Sequence, residues 1–261
     1  MSVERTSLVP AFVVHTRPFR DSSLIVELFT PTHGRVSAVA RGVKRGKAQK
    51  GRLLQPFRAL HVSWAGRTDL PALSAVEEAH AGVALRGKSL ACGYYVNELV
   101  YHLVPRGERA ETLFAHYWPT LESMTDPAQI DVALRTFETT LLQHLGYAPV
   151  TDRCTATNAL IKSDADYLYH IPDGPRLLDH SLPAGNKAAS VKISGAALRS
   201  VGSCDFADAE HLREVKQLLR RLLHYHLDGR ELESRKLFRA FSVGQSANPA
   251  GRIANSGNIA E

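Results

Sequence analysis

From Ala11 to about Val76 apolar side chains recur at every second residue, and after Ala79 they recur at every third or fourth. That change of period constrains the fold more than any other feature, because period two describes a half-buried strand and period 3.6 a helix with one buried face. Five short runs fall in the first regime: Ala11 to Thr16, Leu24 to Thr30, Arg35 to Arg41, Phe57 to Trp64 and Leu70 to Val76. Pro31, Thr32, His33 and Gly34 form a turn between the second and third. In the fourth run Leu60, Val62 and Trp64 share one face and His61 and Ser63 the other, so one side is buried. Five strands are too few for an immunoglobulin-type sandwich and match the count of an OB barrel, with an SH3-like barrel as the alternative.

The second regime opens with a helix carrying Leu90, Tyr94, Asn97, Leu99, Val100 and Leu103, ended before Pro105. A second carries Leu113, Phe114, Tyr117, Trp118 and Leu121 and is expected to kink at Pro119. Asp126 and Pro127 read as the cap and first turn of a third, running through Ile130, Leu134, Phe137 and Leu141 to a stop at Gly146. A fourth long helix starts near Ala209, and a short last one spans Glu231 to Phe241. The expected architecture is therefore α+β and multidomain. A five-stranded OB-fold barrel fills residues 1–80 and an all-α helical domain residues 81–243. The helical part is interrupted at 149–190 by a segment rich in Asp, Pro, Gly and His with a strand or hairpin near Tyr167 to Ile171. The 244–261 tail, dominated by Gly, Asn, Ser and Ala, is expected to be disordered. A length of 261 residues suits two cores better than one.

Charge divides along the same line. Residues 1–88 hold 14 basic and 6 acidic side chains, a net +8, while residues 89–261 hold 18 and 20, a net −2. Arg41, Lys44, Arg45, Lys47, Lys50 and Arg52 place six cations in twelve residues without an anion, spaced by Gly42, Gly46 and Gly51. Like charges so close repel one another, so such a segment either stays solvated as a surface loop or meets a polyanion, of which nucleic acid is the commonest. It is not a Walker loop, since Ala48 stands where Ser or Thr must reach magnesium.

Other classes are excluded or weakened. The longest uncharged stretch in the folded part, Thr139 to Thr151, is too short to span a bilayer, so no membrane helix is expected. The first sixteen residues carry Glu4 and Arg5 and no long apolar core, which argues against export. Three cysteines, Cys92, Cys154 and Cys204, are an odd number at wide spacing and suit a reducing, cytoplasmic setting. His224 and His226 point to different sides of a helix and make no chelate. Cys154 and Thr157 have the outline of a zinc knuckle lacking its second sulfur. Glu98 and His102 stand four apart on one helix and read as a surface salt link. No nucleophile elbow, zinc-protease helix, dinucleotide turn or kinase signature occurs, so neither an enzyme nor a cofactor is expected.

Four segments, taken in order, resemble one family. They are VVHTRPFR (Val13 to Arg20), LIVELFTPTHGRVSAVARGVKR (Leu24 to Arg45), ALRTFETTLLQHLGY (Ala133 to Tyr147) and LESRKLFRAF (Leu232 to Phe241). The chain is similar to RecO, the bacterial recombination mediators. The resemblance implies an N-terminal OB-fold, a helical second domain, and binding of single- and double-stranded DNA. It also implies annealing of complementary strands without ATP, and cooperation with RecR in loading recombinase onto strands coated by single-stranded-DNA-binding protein (SSB). Many members carry a four-cysteine zinc site in the second domain; here Cys154 alone fits it, which resembles the zinc-free branch.

Arg41, Lys44, Arg45, Lys47, Lys50 and Arg52 are accordingly the expected phosphate contacts, with Arg17, Arg20 and Arg35 as further candidates where strands open onto the same face. Phe19 and Trp64 are candidates for stacking a base, although Trp64 shares its face with Leu60 and Val62. Arg213, Lys216 and Arg220 form one helix face that either binds a second strand or is merely solvated. The family's helical domain receives the acidic, apolar C-terminal tail of SSB, and Arg135 is the candidate cation for it, against a plain ion pair with Glu138 or Asp131. An RNA- or ribosome-binding OB protein would share the basic loop, and a scaffold without nucleic acid would need none of these contacts.

Overall fold

The computed structural model describes residues 6–43, 49–66, 68–178 and 190–238. Its front part is a closed barrel made by β1 (Val9–Phe19), β2 (Ser23–Thr30), β3 (Gly34–Ala40), β4 (Ala59–Ala65) and β5 (Ala72–His80), with the short helix α1 (Gln49–Leu53) between β3 and β4. The strands follow the order β1-β2-β3-β5-β4 around the wall. Pairing is antiparallel except at the β3–β5 seam, where Val39 lies beside Ala72 in parallel. β1 serves two neighbours: Val9, Pro10 and Ala11 pair with β4, and Phe12 to Phe19 with β2. The register shifts between Val13 and His15, an irregularity that sharpens the bend closure needs. The barrel is of OB type, with the helix inserted after its third strand.

Val13, Val26, Leu28, Ala38, Leu60, Val62 and Leu73 fill the interior, and Val43 and Leu54, flanking α1, close it. Trp64 belongs to this core, 8% exposed, with its ring edge-on to His33, and so offers no platform for a base.

Phe57 does not open β4 as its sequence position suggests. It sits at φ 65° and turns away from the barrel into the helical part, 6% exposed. The ring lies against Gly93, where an added Cβ would come within 2.9 Å of it and 2.5 Å of Leu85. Gly93→Val is therefore expected to cost about 1–3 kcal/mol by overpacking, seen as a lower urea midpoint with an unchanged slope.

Behind the barrel come α2 (Gly87–Leu103), α3 (Glu111–Ser123), α4 (Ile130–His144), α5 (Gly195–Ser203) and α6 (Ala209–His226). α3 runs unbroken through Pro119. The carbonyl deprived of its donor is that of Ala115, on the exposed side and open to solvent. Asp126 caps a turn and not a helix, accepting from the Ala128 N–H, so α4 begins only at Ile130. Its other end closes as the sequence predicts: Gly146 takes φ +77°, its N–H reaches the Gln143 carbonyl, and the Tyr147 N–H reaches Leu142. The segment expected to hold one strand or hairpin contains a three-stranded antiparallel sheet of β6 (Asp166–His170), β7 (Gly174–Leu177) and β8 (Ser190–Ser194), in the order β7-β6-β8.

Barrel and helices share one apolar cluster. Phe12, Val14 and Phe29 project outward from the barrel wall and join Leu113, Tyr117 and Phe137. Phe12 packs its ring 4.5 Å from that of Tyr117 and 4.9 Å from that of Phe114.

Candidate nucleic-acid interface and an apolar pocket

OB barrels commonly take oligonucleotides on the outer face of strands two and three. In this chain that face is covered. The outward residues of β2, Ile25, Glu27 and Phe29, are 5%, 1% and 0% exposed. Glu27 is a carboxylate in an otherwise apolar strand, and three donors converge on it: Ser37 Oγ at 2.8 Å, Arg35 at 3.3 Å and Arg106 at 3.4 Å. Arg35 also donates to the Val104 carbonyl at 3.3 Å and lies 5.0 Å from the centre of the Tyr101 ring. These contacts tie β2 and β3 to the end of α2, and they withdraw Arg35 from the candidate phosphate contacts, since its fork is spent on a buried carboxylate. Burial is also the leading reason its pKa falls below the usual arginine value.

The remaining barrel cations collect at the end where β1 turns into β2. Arg17 is opposite Ile25 and Ile25 opposite Val39, so Arg17 lies two strands across from a residue just two positions before Arg41. Arg17, Arg20 and Arg41 are exposed. Arg20 adopts φ 51° in the tight β1–β2 turn and stands 5.2 Å over the half-buried Phe19 ring. Arg52 on α1 is exposed as well. Lys50 is tied down: its Nζ donates to the Leu73 carbonyl at 2.9 Å and the Ser74 carbonyl at 3.3 Å, pinning α1 to β5. Lys44, Arg45 and Lys47 lie outside the described residues.

On the helical side a pocket of about 400 Å³ opens between α2, α4, α6 and the segment after α6. Leu134, Leu223, Leu227, Leu232 and Phe238 form its apolar lining. Its charged lining comprises the six cations Lys88, Arg135, Lys216, Arg220, Arg230 and Arg235 against the two carboxylates Asp131 and Glu138. Arg135 is 4% exposed and pairs with Glu138 at 2.9 Å; Tyr95 donates to the same carboxylate oxygen at 2.7 Å. The Nε of Arg135 and the second oxygen of Glu138 are buried with no partner. Burial pushes the Glu138 carboxyl up, against the pull of Arg135. Lys216 bonds Asp131 at 2.9 Å.

The three cations expected to form one helix face differ in what they line. Lys216 and Arg220 line the pocket, and Arg213 does not. Arg135, the candidate cation of the sequence, lines this pocket, but its setting is not legible in the sequence: Tyr95, Arg230, Leu232 and Arg235 come from far along the chain, and only the LESRKLF motif hints that the C-terminal end has a fixed place.

Glu98 makes no ion pair with His102 among the described residues. Its two oxygens accept the N–H groups of Glu233 and Ser234, at 2.8 and 2.9 Å, capping the last short helix from α2. Glu98→Ala is expected to cost about 1 kcal/mol and to speed hydrogen exchange at residues 233–238, while exchange in α2 and α4 stays slow.

Cys154 sits in a tight turn in which the Asn158 N–H returns to its carbonyl at 2.8 Å. Burial would raise its thiol, but hydrogen bonds from the Thr157 hydroxyl and the Leu177, Ala156 and Thr157 amides outweigh it and set the pKa at about 7. Among the described residues no three His, Cys, Asp or Glu side chains are grouped to hold a metal, and no helix is long and apolar enough to cross a membrane.

Comparison with known proteins agrees with this two-part construction. Residues 1–81 match the family model for the N-terminal part of recombination protein O, and residues 85–236 match that for its C-terminal part. The DNA repair protein RecO of Nitrosococcus oceani is 41% identical over 234 residues, covering 89% of this chain and 93% of its own. That of Dechloromonas aromatica is 39% identical over 233 residues, covering 88% and 94%. That of Methylococcus capsulatus is 37% identical over 238 residues, covering 91% and 95%. With both halves matched and identity sustained over nearly the full length, this chain belongs to the RecO family.

Proposed function

We propose that this protein is a recombination mediator of DNA repair, acting in the cytoplasm on chromosomal DNA, that anneals complementary strands without ATP and helps load recombinase, with RecR, onto SSB-coated strands. Phosphates gathered by the cationic end of the barrel lose much of their mutual repulsion, and two strands held together pair faster than free ones. No bond is made or broken in that process, so no catalytic residue is required.

The observation that carries the reading is the buried Arg135 at the apolar pocket, with an unpartnered Nε and an excess of cations around it. A chain end that is both acidic and apolar, as the SSB tail is, fits such a site: its side chains fill the leucine-lined part and its carboxylates meet the guanidinium groups.

The decisive experiment is annealing of complementary oligonucleotides, bare and SSB-coated, without nucleotide. Acceleration in both cases is expected, and no acceleration of either would end the mediator reading. Titrating an SSB-tail peptide tests the pocket. Because Arg135→Ala alone would strand Glu138, the double change Arg135→Met with Glu138→Met is the informative variant. It should bind the peptide about 10- to 100-fold more weakly, the value of a lost charged hydrogen bond, whereas undiminished affinity would remove Arg135 from the site.

A further inference from the structure

A second cleft of about 560 Å³ lies on the other side of α6, between that helix, β8 and the last short helix. Its charged side chains are Lys192 from β8, Arg220 and Arg221 from α6, and Arg235, with the His224 imidazole beside them. Among the described residues no carboxylate lines it, and Val191 is its one apolar side chain. Gln217, Arg220, Arg221 and His224 follow the i, i+3, i+4, i+7 spacing that puts them on one helical stripe. A four-residue step along that stripe advances about 6 Å, close to the separation of successive phosphates in an extended strand. Among the described residues β8 is an edge strand, and the Ser194 N–H at its far end is taken by Glu214 of α6 at 2.7 Å. With a backbone period of two, the Lys192 N–H points from the same edge toward the cleft, adding a main-chain donor to the cations. Lys192 also pairs with Asp166 at 2.7 Å, an exposed contact of the kind that contributes little.

We propose that this cleft binds the phosphate backbone of a second nucleic-acid strand, apart from the cationic end of the barrel. The inference rests on the mediator reading and deepens it. Annealing requires two strands held at once, and the chain then has a separate cationic surface for each. The polar lining favours a sugar–phosphate chain over an acidic peptide, which gains from an apolar wall that, among the described residues, the neighbouring pocket has and this cleft lacks. Arg220, His224 and Arg235 line both cavities. Strand in one and acidic peptide in the other therefore draw on the same two guanidinium groups, Arg220 and Arg235, and weaken each other by one common factor, as linkage demands.

Lys192 and Arg221 line this cleft and not the apolar pocket, and both are exposed, so Lys192→Gln with Arg221→Gln tests it in the full-length protein without disturbing the core. Annealing by the double variant should fall at least tenfold, while its affinity for a single dT oligonucleotide, held at the barrel, changes less than threefold. Unchanged annealing overturns the cleft and leaves the mediator reading standing; that reading is tested separately by replacing Arg41, Lys44, Arg45, Lys47 and Arg52 with glutamine, where undiminished dT affinity would count against it. In the wild-type chain, dT oligonucleotide added in excess, once the barrel site is filled, should protect Lys192 from acylation. Protection by polyglutamate but not by dT would assign the cleft to an acidic protein and overturn the proposal. Adding SSB-tail peptide should reduce the dT protection of Lys192, and protection indifferent to peptide would overturn the coupling.

Discussion

Glu27→Ala is expected to destabilise the protein by about 3–5 kcal/mol, the cost of leaving a buried cation without its counter-charge. Glu27 is 1% exposed and its principal partner, Arg35, has 15% of its side chain exposed, so water reaches neither freely. Arg106, half exposed, recovers solvent when the carboxylate goes; Arg35 keeps only the Val104 carbonyl and the Tyr101 ring. Since these contacts join β2 and β3 to the helical part, the loss should appear as a single lower urea midpoint in the full chain, not as early melting of one half. Replacing both members, Glu27→Met with Arg35→Met, removes the uncompensated charge and should recover most of the loss. The double variant also separates the two roles considered for Arg35. A structural Arg35 predicts unchanged DNA affinity, whereas a tenfold weaker binding would return it to the phosphate contacts.

The setting of Arg35 shows where sequence stops. The alternation in LIVELFT and RVSAVAR identifies two paired strands because one face of a barrel must be apolar, and the observed register follows that pattern. Alternation says only that the other face differs, not what covers it. Here Phe12, Phe29 and the helices cover it, and Arg35 faces protein where the pattern implies solvent. A warning lay in the sequence: a lone Glu27 inside an apolar strand needs a buried partner, and Arg35 lies across the hairpin from its neighbours. Likewise the Arg135–Glu138 spacing was legible as an ion pair, but its burial depends on Tyr95 and the C-terminal turn, brought in by tertiary folding alone. Of the small sheet, the strand near Tyr167 to Ile171 was legible as β6, while its extent was not, because β7, GPRL, carries a proline and no alternation, and β8 is five residues long.

Neutralising the basic segment should have the largest functional effect. The variant to make replaces Arg41, Lys44, Arg45, Lys47 and Arg52 with glutamine and spares Lys50, whose Nζ holds α1 to β5 through two carbonyls. Each phosphate contact on a single strand contributes about 0.7 to the slope of log affinity against log salt, so losing five should flatten it by about 3.5. Stability should hardly move, because surface charges away from the core change unfolding by only about 0.5 kcal/mol, and removing mutual repulsion works in the protein's favour. Lys50→Gln should do the reverse, lowering stability while leaving the slope nearly intact. Annealing in the five-fold variant should slow with the loss of affinity and recover in part as salt falls, since the remaining cations, Arg17 and Arg20, act over a longer Debye length there. An undiminished slope would move the DNA site off this end of the barrel, and because the β2–β3 face is closed by Glu27, Phe29 and the helices, the binding would then have to lie on the helical part.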